Sequence, residues 1–260
     1  MPSFAKGWDI QIRVIKALML RELTTRFGRE NIGFLWMMAE PLLFALLVGL
    51  LWRAMKGPFE YGLDIIAFVI SGYIPLVLFR NSVSRAVQSF TANSGLMYHR
   101  QIKILDVIIV RFGIELLGTM MAYMFIGVVL YSFNLFPAPY DIGFFVMGWF
   151  YYALFTLSIT LVIAPLSEMS EILEKLMPVT TYLMVPFSGA FFLASALTPE
   201  GLAVVLYSPP VHGMEMMRYG IFGPSIEPHY DYLYPLAFSL PCMALGLLLC
   251  RLVRGRLVIE

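Results

Sequence analysis

His212 and Glu215 stand three residues apart, a spacing that some metal sites use. One turn of helix puts both on the same face. A metal site needs further donors. None lies near them in the sequence, and His229 stands alone, so the spacing reads as structural. Glu215 and Arg218 (i, i+3) can form an ion pair, and so can Arg111 and Glu115 (i, i+4). Glu40 is the one acid inside the first apolar run, 32–52, and is followed by Pro41. A carboxylate at membrane depth faces protein or water rather than lipid, and a proline frees a backbone carbonyl and can kink a helix. Two roles for Glu40 stay open. One is a hinge or polar contact beside a pathway. The other is a structural pair with a donor on a neighbouring helix. The acidic stretch Glu168-Met169-Ser170-Glu171-Ile172-Leu173-Glu174-Lys175 reads as a solvated loop or a docking loop. No glycine-rich loop ending in Lys-Ser/Thr occurs, so no ATP site of that kind is expected on this chain. Cys242 and Cys250 lie about 12 Å apart along one helix, too far for a disulfide.

The elements that carry these residues follow from composition. The 260 residues are 60% hydrophobic and 13% charged, with a mean hydropathy of +0.79. Soluble domains run near 45–50% apolar and about 25% charged. A soluble monomer of this size could not hide so much apolar surface. A cytosolic enzyme, a nucleic-acid binder and a disordered chain are thereby excluded, leaving an all-α polytopic membrane protein. About 20 apolar residues cross a bilayer as a helix. Six runs meet or approach that length: 32–52, 63–79, 107–133, 142–167, 176–199 and 232–250. The piece Leu202–Tyr207 is too short to cross. It sits among Pro199, Pro209, Pro210 and Gly213, so 200–231 is expected to be re-entrant. The chain reads as one transmembrane domain. No cleavable signal is visible, and the first span is expected to act as its own insertion signal.

Ahead of the first span, Trp8, Ile12, Ile15, Met19 and Leu23 recur at helical spacing, opposite Arg13, Lys16 and Thr24. A basic amphipathic helix beside a membrane lies in the interface plane. It reads as a surface anchor or as an element that transmits force. Six spans put both ends on one side. Of 18 basic residues, 14 fall on that side and three on the other. The positive-inside rule then makes both termini cytoplasmic.

An ordered set of motifs carries a family resemblance. Leu20-Arg21-Glu22, Arg26-Phe27-Gly28, Gly33-Phe34-Leu35-Trp36 and Glu40-Pro41 form the first part. Gly72-Tyr73-Ile74-Pro75 with Phe79-Arg80-Asn81 follows, then Leu96, Tyr98, Lys103, Asp106 and Arg111. Ser188-Gly189 with Phe192, and Pro209, His212, Glu215 and Arg218, complete it. The set resembles the ABC-2 type polysaccharide export permeases, and among them the capsular polysaccharide inner-membrane permeases. Ser208 stands where relatives often carry Asn.

The resemblance implies the ABC-2 exporter fold and a non-enzymatic half-transporter in the bacterial inner membrane. Such a permease pairs with a second copy of itself and with two copies of a cytosolic ATPase that holds the ATP and Mg. Lipid-linked capsular polysaccharide is the implied cargo, and periplasmic and outer-membrane export proteins continue the route. The connection 80–103 then holds a coupling helix, with Ser84, Gln88, Phe90, Asn93 and Met97 as contacts to the ATPase. Arg21, Glu22, Arg26 and Phe27 belong to the interface helix. Arg29, Arg80, Arg85 and Arg100 would draw in an anionic polymer, although topology alone also explains these arginines. Phe34, Trp36, Glu40, Tyr182, Phe187, Phe191 and Phe192 are candidates for a pathway lining, and packing or lipid contact explains each aromatic equally well. His212, Glu215 and Arg218 would shape the periplasmic exit. An O-antigen or teichoic-acid permease of the same fold is the runner-up. A membrane enzyme acting on lipid-linked sugars would need clustered acids or histidines at one membrane face, a pattern this chain lacks.

Overall fold

The computed structural model describes residues 4–27, 32–87, 89 and 102–257. Among the described residues, nine α-helices and one small hairpin build the molecule. They are α1 (Phe4–Phe27), α2 (Ile32–Lys56), α3 (Ile65–Val87), α4 (Ile104–Ser132), α5 (Ile142–Met169), α6 (Glu171–Leu183), α7 (Pro199–Val205), α8 (Pro209–Phe222) and α9 (Leu233–Leu257). Phe59–Glu60 and Leu63–Asp64 pair as antiparallel strands β1 and β2 between α2 and α3. The two turn residues, Tyr61 and Gly62, both have positive φ, as a tight hairpin of this twist requires.

Among the described residues, α3, α4, α5 and the Leu233–Val253 part of α9 are long and apolar enough to cross a membrane. Their starts are set locally. Asp141 accepts from the Phe144 amide at the head of α5. Asp64 does the same for the Ile66 and Ala67 amides at the head of α3. Asp106 accepts from the Lys103 amide at the head of α4, which satisfies an amide that a helix start leaves open.

α3 lies innermost, packed against α2, α4, α5 and α6. It runs on to Val87, past the expected end of the second span, and Val83 and Val87 are buried in this helix. The expected fifth span, 176–199, is not one helix. α6 covers Glu171–Leu183, and 3₁₀ turns follow at Val185–Phe187 and Ala194–Ala196. Pro186 cannot continue the helical hydrogen bonds, and Gly189 sits at φ +76°. At 13 residues, α6 is about 20 Å long, shorter than the hydrocarbon core of about 30 Å.

Within 200–231, α8 is buried along nearly its whole length and runs antiparallel to the first half of α5. A Cβ at Gly148 would meet the Met217 nitrogen at 2.4 Å, so only glycine lets these two backbones come so close. Cys242 and Cys250 are both free.

α1 packs on α4, burying Leu18 against Val110 and Ile114, with Val14, Ile15, Met19 and Leu23 around it. Trp8, expected on this stripe, is 60% exposed, because α4 does not extend beneath the start of α1.

Candidate functional site

Three constellations collect the residues singled out by type and spacing. The first joins α1, α3 and α4 at one end of the molecule. Glu115 is buried on α4 and takes both Arg26 of α1 and, at 2.6 Å, Arg85 of α3. Glu22 pairs with Arg26 at 3.1 Å and with Arg111 at 3.3 Å. Arg111 also donates to the Arg85 carbonyl at 3.0 Å. The expected Arg111–Glu115 pair is therefore replaced by pairs across helices, since each side chain finds an opposite charge on a neighbouring element. Asp106 bonds the Lys103 amide and the Gln11 amide group rather than a cationic side chain. Three arginines thus share two glutamates across three helices. Most of this cluster is shielded from solvent, where removing one partner costs most because it leaves an uncompensated buried charge.

The second constellation lies on an open face between α2, α3 and α6. The Arg80 guanidinium sits 4.5 Å over the Tyr182 ring. Tyr73 is buried behind this face, its ring stacked on Phe44 at 4.7 Å. Glu40 and Tyr182 are exposed. Among the described residues no donor on a neighbouring helix bonds Glu40. Tyr73 lies two turns before Arg80 on α3, a spacing legible in the sequence; only the meeting of Arg80 with Tyr182 is tertiary. Phe187 is also exposed, whereas Phe191 and Phe192 are half-buried, Phe191 against Trp52 at 5.8 Å.

The third is a buried knot around Arg218 on α8. Its guanidinium donates to the carbonyls of Gly189, Ala190 and Phe192. It also donates to the Ser71 hydroxyl at 3.3 Å and lies 4.5 Å over the Phe68 ring. A Cβ at Gly72 would fall 2.0 Å from the Ala190 oxygen, so the Gly72 position is dictated by this approach. Glu215 does not pair directly with Arg218. It accepts from the Ala194 and His229 amides, and burial pushes its pKa up. His212 donates from Nε2 to the Leu206 carbonyl and accepts at Nδ1 from the Asp231 amide, both at 2.9 Å. That pattern fits the neutral ring, and burial pushes its pKa down. His212, Glu215 and Arg218 thus sit inside the protein and fasten the broken segment rather than line a surface. Among the described residues no group of three potential metal ligands occurs.

Other expected residues fall as follows. Ser84 is exposed near the end of α3, and Arg21 on α1 is exposed. Arg29, Gln88, Phe90, Asn93, Met97 and Arg100 lie outside the described residues. Phe27, Phe34 and Trp36 fall on α1 and α2, with side chains outside the described set.

Residues 13–222 match the ABC-2 type transporter family. The chain belongs to that family. Within the ABC-2 type transporters, similarity extends over nearly the whole chain. The capsule polysaccharide export inner-membrane protein CtrC of Neisseria meningitidis serogroup B is 38% identical over 245 residues, 94% of this chain and 92% of CtrC. BexB of Haemophilus influenzae, of the same description, is 32% identical over 249 residues, 96% of this chain and 94% of BexB. The polysialic acid transport protein KpsM of Escherichia coli is 25% identical over 246 residues, 94% of this chain and 95% of KpsM. The helical membrane architecture expected of an ABC-2 transporter subunit is the one observed.

Proposed function

We propose that this chain is the inner-membrane subunit of an ATP-driven exporter of lipid-linked capsular polysaccharide. Its full-length similarity to CtrC and BexB carries this reading. Two copies work with two copies of a separate ATPase, which holds ATP and Mg, and both termini are cytoplasmic. The ATPase docks on the connection after α3, at Ser84, Gln88, Phe90, Asn93 and Met97. The ion cluster of Glu22, Arg26, Arg85, Arg111 and Glu115 supports the coupling step. It joins the interface helix to the end of α3 and the start of α4, next to the docking connection, so a push there moves α1 as well. Buried ion pairs have tight geometric demands, which makes such a joint stiff.

The open face with Glu40, Arg80 and Tyr182, backed by the buried Tyr73, forms the pathway wall. An arginine held over an aromatic ring presents donors for anionic groups beside a flat surface for sugar rings. Arg80 therefore keeps the polymer-contact role with Arg29 and Arg100, while Arg85 serves the joint. The broken segment after α6, fastened by Arg218, sets the outer mouth. Periplasmic and outer-membrane export proteins receive the polymer there.

The test replaces the chromosomal copy with Tyr182→Ala or Glu40→Gln and measures surface polymer and ATPase activity of the purified complex. Retained ATPase activity with polymer export reduced at least about tenfold, the loss of roughly one strong contact, is expected. Normal export in both variants removes this wall from the pathway.

A further inference from the structure

At the end of α4 remote from the ion cluster, an apolar cavity of about 650 Å³ opens between α4, the 133–141 loop and the start of α5. That volume falls in the range of small-molecule sites, about 300–1,000 Å³. Tyr123, Gly127, Phe136, Pro139, Phe145 and Ile221 line it. Its mouth carries Met124, Val128 and Tyr131, exposed by 57%, 68% and 57%. Met124 and Val128 continue a stripe with Leu117, Met121 and Phe125 on α4 that is apolar and uncharged over two turns and more. Such a stripe faces hydrocarbon rather than water. The wall is preformed, because Pro137 and Pro139 restrict the loop.

A second chamber of about 540 Å³ adjoins the first and shares Tyr131, Phe136, Pro137, Ala138 and Ile221 with it. Its lining is polar where the first is not, with Asn134, Ser225 and Asp64. Asp64 is the single charged residue among those lining it. One carboxylate oxygen of Asp64 caps α3, and the other is 3.7 Å from Arg53, a loose pair in which both side chains keep solvent access. That second oxygen can accept a further cation.

We infer that the two chambers form one site for a membrane phospholipid with an ammonium-bearing head. An acyl chain fills the apolar chamber, and the head reaches the polar one, with its ammonium toward Asp64. The joined apolar and polar walls match an amphiphile; the Asp64 carboxylate favours a zwitterionic head that carries an ammonium over an anionic head that lacks one, and Arg53 beside it faces the phosphate.

The site is tested on the full-length protein by native mass spectrometry, with phosphatidylethanolamine and phosphatidylglycerol supplied in equal amounts. One retained phosphatidylethanolamine per copy is expected. Gly127→Leu fills the chamber without displacing structure, since a Cβ there meets nothing nearer than Phe136 at 4.0 Å. It should lower lipid occupancy at least about tenfold, as displaced methylenes predict. Val128→Trp blocks the mouth from the exposed side and should act alike. Gly113→Leu, on the same helix where a Cβ meets nothing within 4 Å, should leave occupancy unchanged. Asp64→Asn keeps a good helix cap and should reduce the preference for the ammonium head about threefold, the scale of a partly exposed ion pair. Unchanged occupancy in both Gly127→Leu and Val128→Trp overturns the site. Equal retention of the two lipids by the unsubstituted protein overturns the head-group assignment.

Discussion

His212 shows how much one side chain settles. Its two ring nitrogens have opposite jobs: Nε2 donates to the Leu206 carbonyl near the end of α7, and Nδ1 accepts the Asp231 amide. Asp231 in turn bonds the Leu233 and Tyr234 amides at the head of α9. One neutral imidazole therefore ties the segment before α8 to the start of the last helix. A second proton would remove the acceptor. Burial holds the folded pKa below the ordinary 6.5, so in the window between the two values the unfolded chain binds the proton and the folded chain does not. Stability should then fall as pH drops through about 6.5. Glu215 works in the opposite sense, because its raised pKa favours the folded state on acidification. Comparison with His212→Ala isolates the histidine. Thermal unfolding from pH 7.5 to 5.5 should show a smaller acid-side loss in that variant than in the parent protein. The His212–Glu215 spacing was legible in the chain, but not its role. Both partners of the imidazole are backbone groups, and backbone partners leave no mark on residue types.

At the scale of elements, the amphipathic period of α1 and the apolar runs of α2 to α5 were plain. Local pattern and capping suffice for these. The pairing of charges was not. Arg111 and Glu115 lie one turn apart on α4, yet Glu115 binds α1 and α3 while Arg111 binds Glu22. Spacing finds partners on one helix and is blind to those that packing delivers. The cluster predicts a specific loss. Glu115→Gln leaves Arg26 and Arg85 without their shared carboxylate. The cost should be about 3 kcal/mol, the low end for a broken buried pair, because Arg85 reaches solvent. Hydrogen exchange should speed up along α1 while α8 keeps its protection. Equal exchange in α1 would show that hydrophobic packing on Val110 and Ile114 alone holds the helix. The fifth apolar run failed as a single helix for a related reason. Composition marked it as apolar, but Arg218 on α8 supplies donors for three of its carbonyls. With those carbonyls satisfied from outside, the backbone can leave the helix within an apolar interior.

At the scale of the molecule, two faces differ in kind. α4 turns large uncharged side chains outward. α2 and α6 also expose apolar residues, Leu47 by 66% and Val179 by 55%, but around the polar group of Glu40, Arg80 and Tyr182. The proposed pathway between two copies would place the second face inside the pair. Cysteines at Leu47 and Val179, in a chain whose Cys242 and Cys250 are replaced by alanine, should form a species of twice the chain mass on mild oxidation. Cysteines at Met124 and Val128 should not. The reverse result would put the lipid-facing side at the contact.

Sequence by itself determined the membrane class, the helical runs other than the fifth, the amphipathic first helix and, through ordered motifs, the transporter family. All of these are written in local hydropathy, spacing and residue type. Tertiary structure alone decided which glutamate holds which arginine, why Gly72 and Gly148 must lack a side chain, where the fifth run breaks, and that Arg80 lies over Tyr182. Each of those is a meeting of residues far apart in the chain, and its energy exists only after the helices have packed.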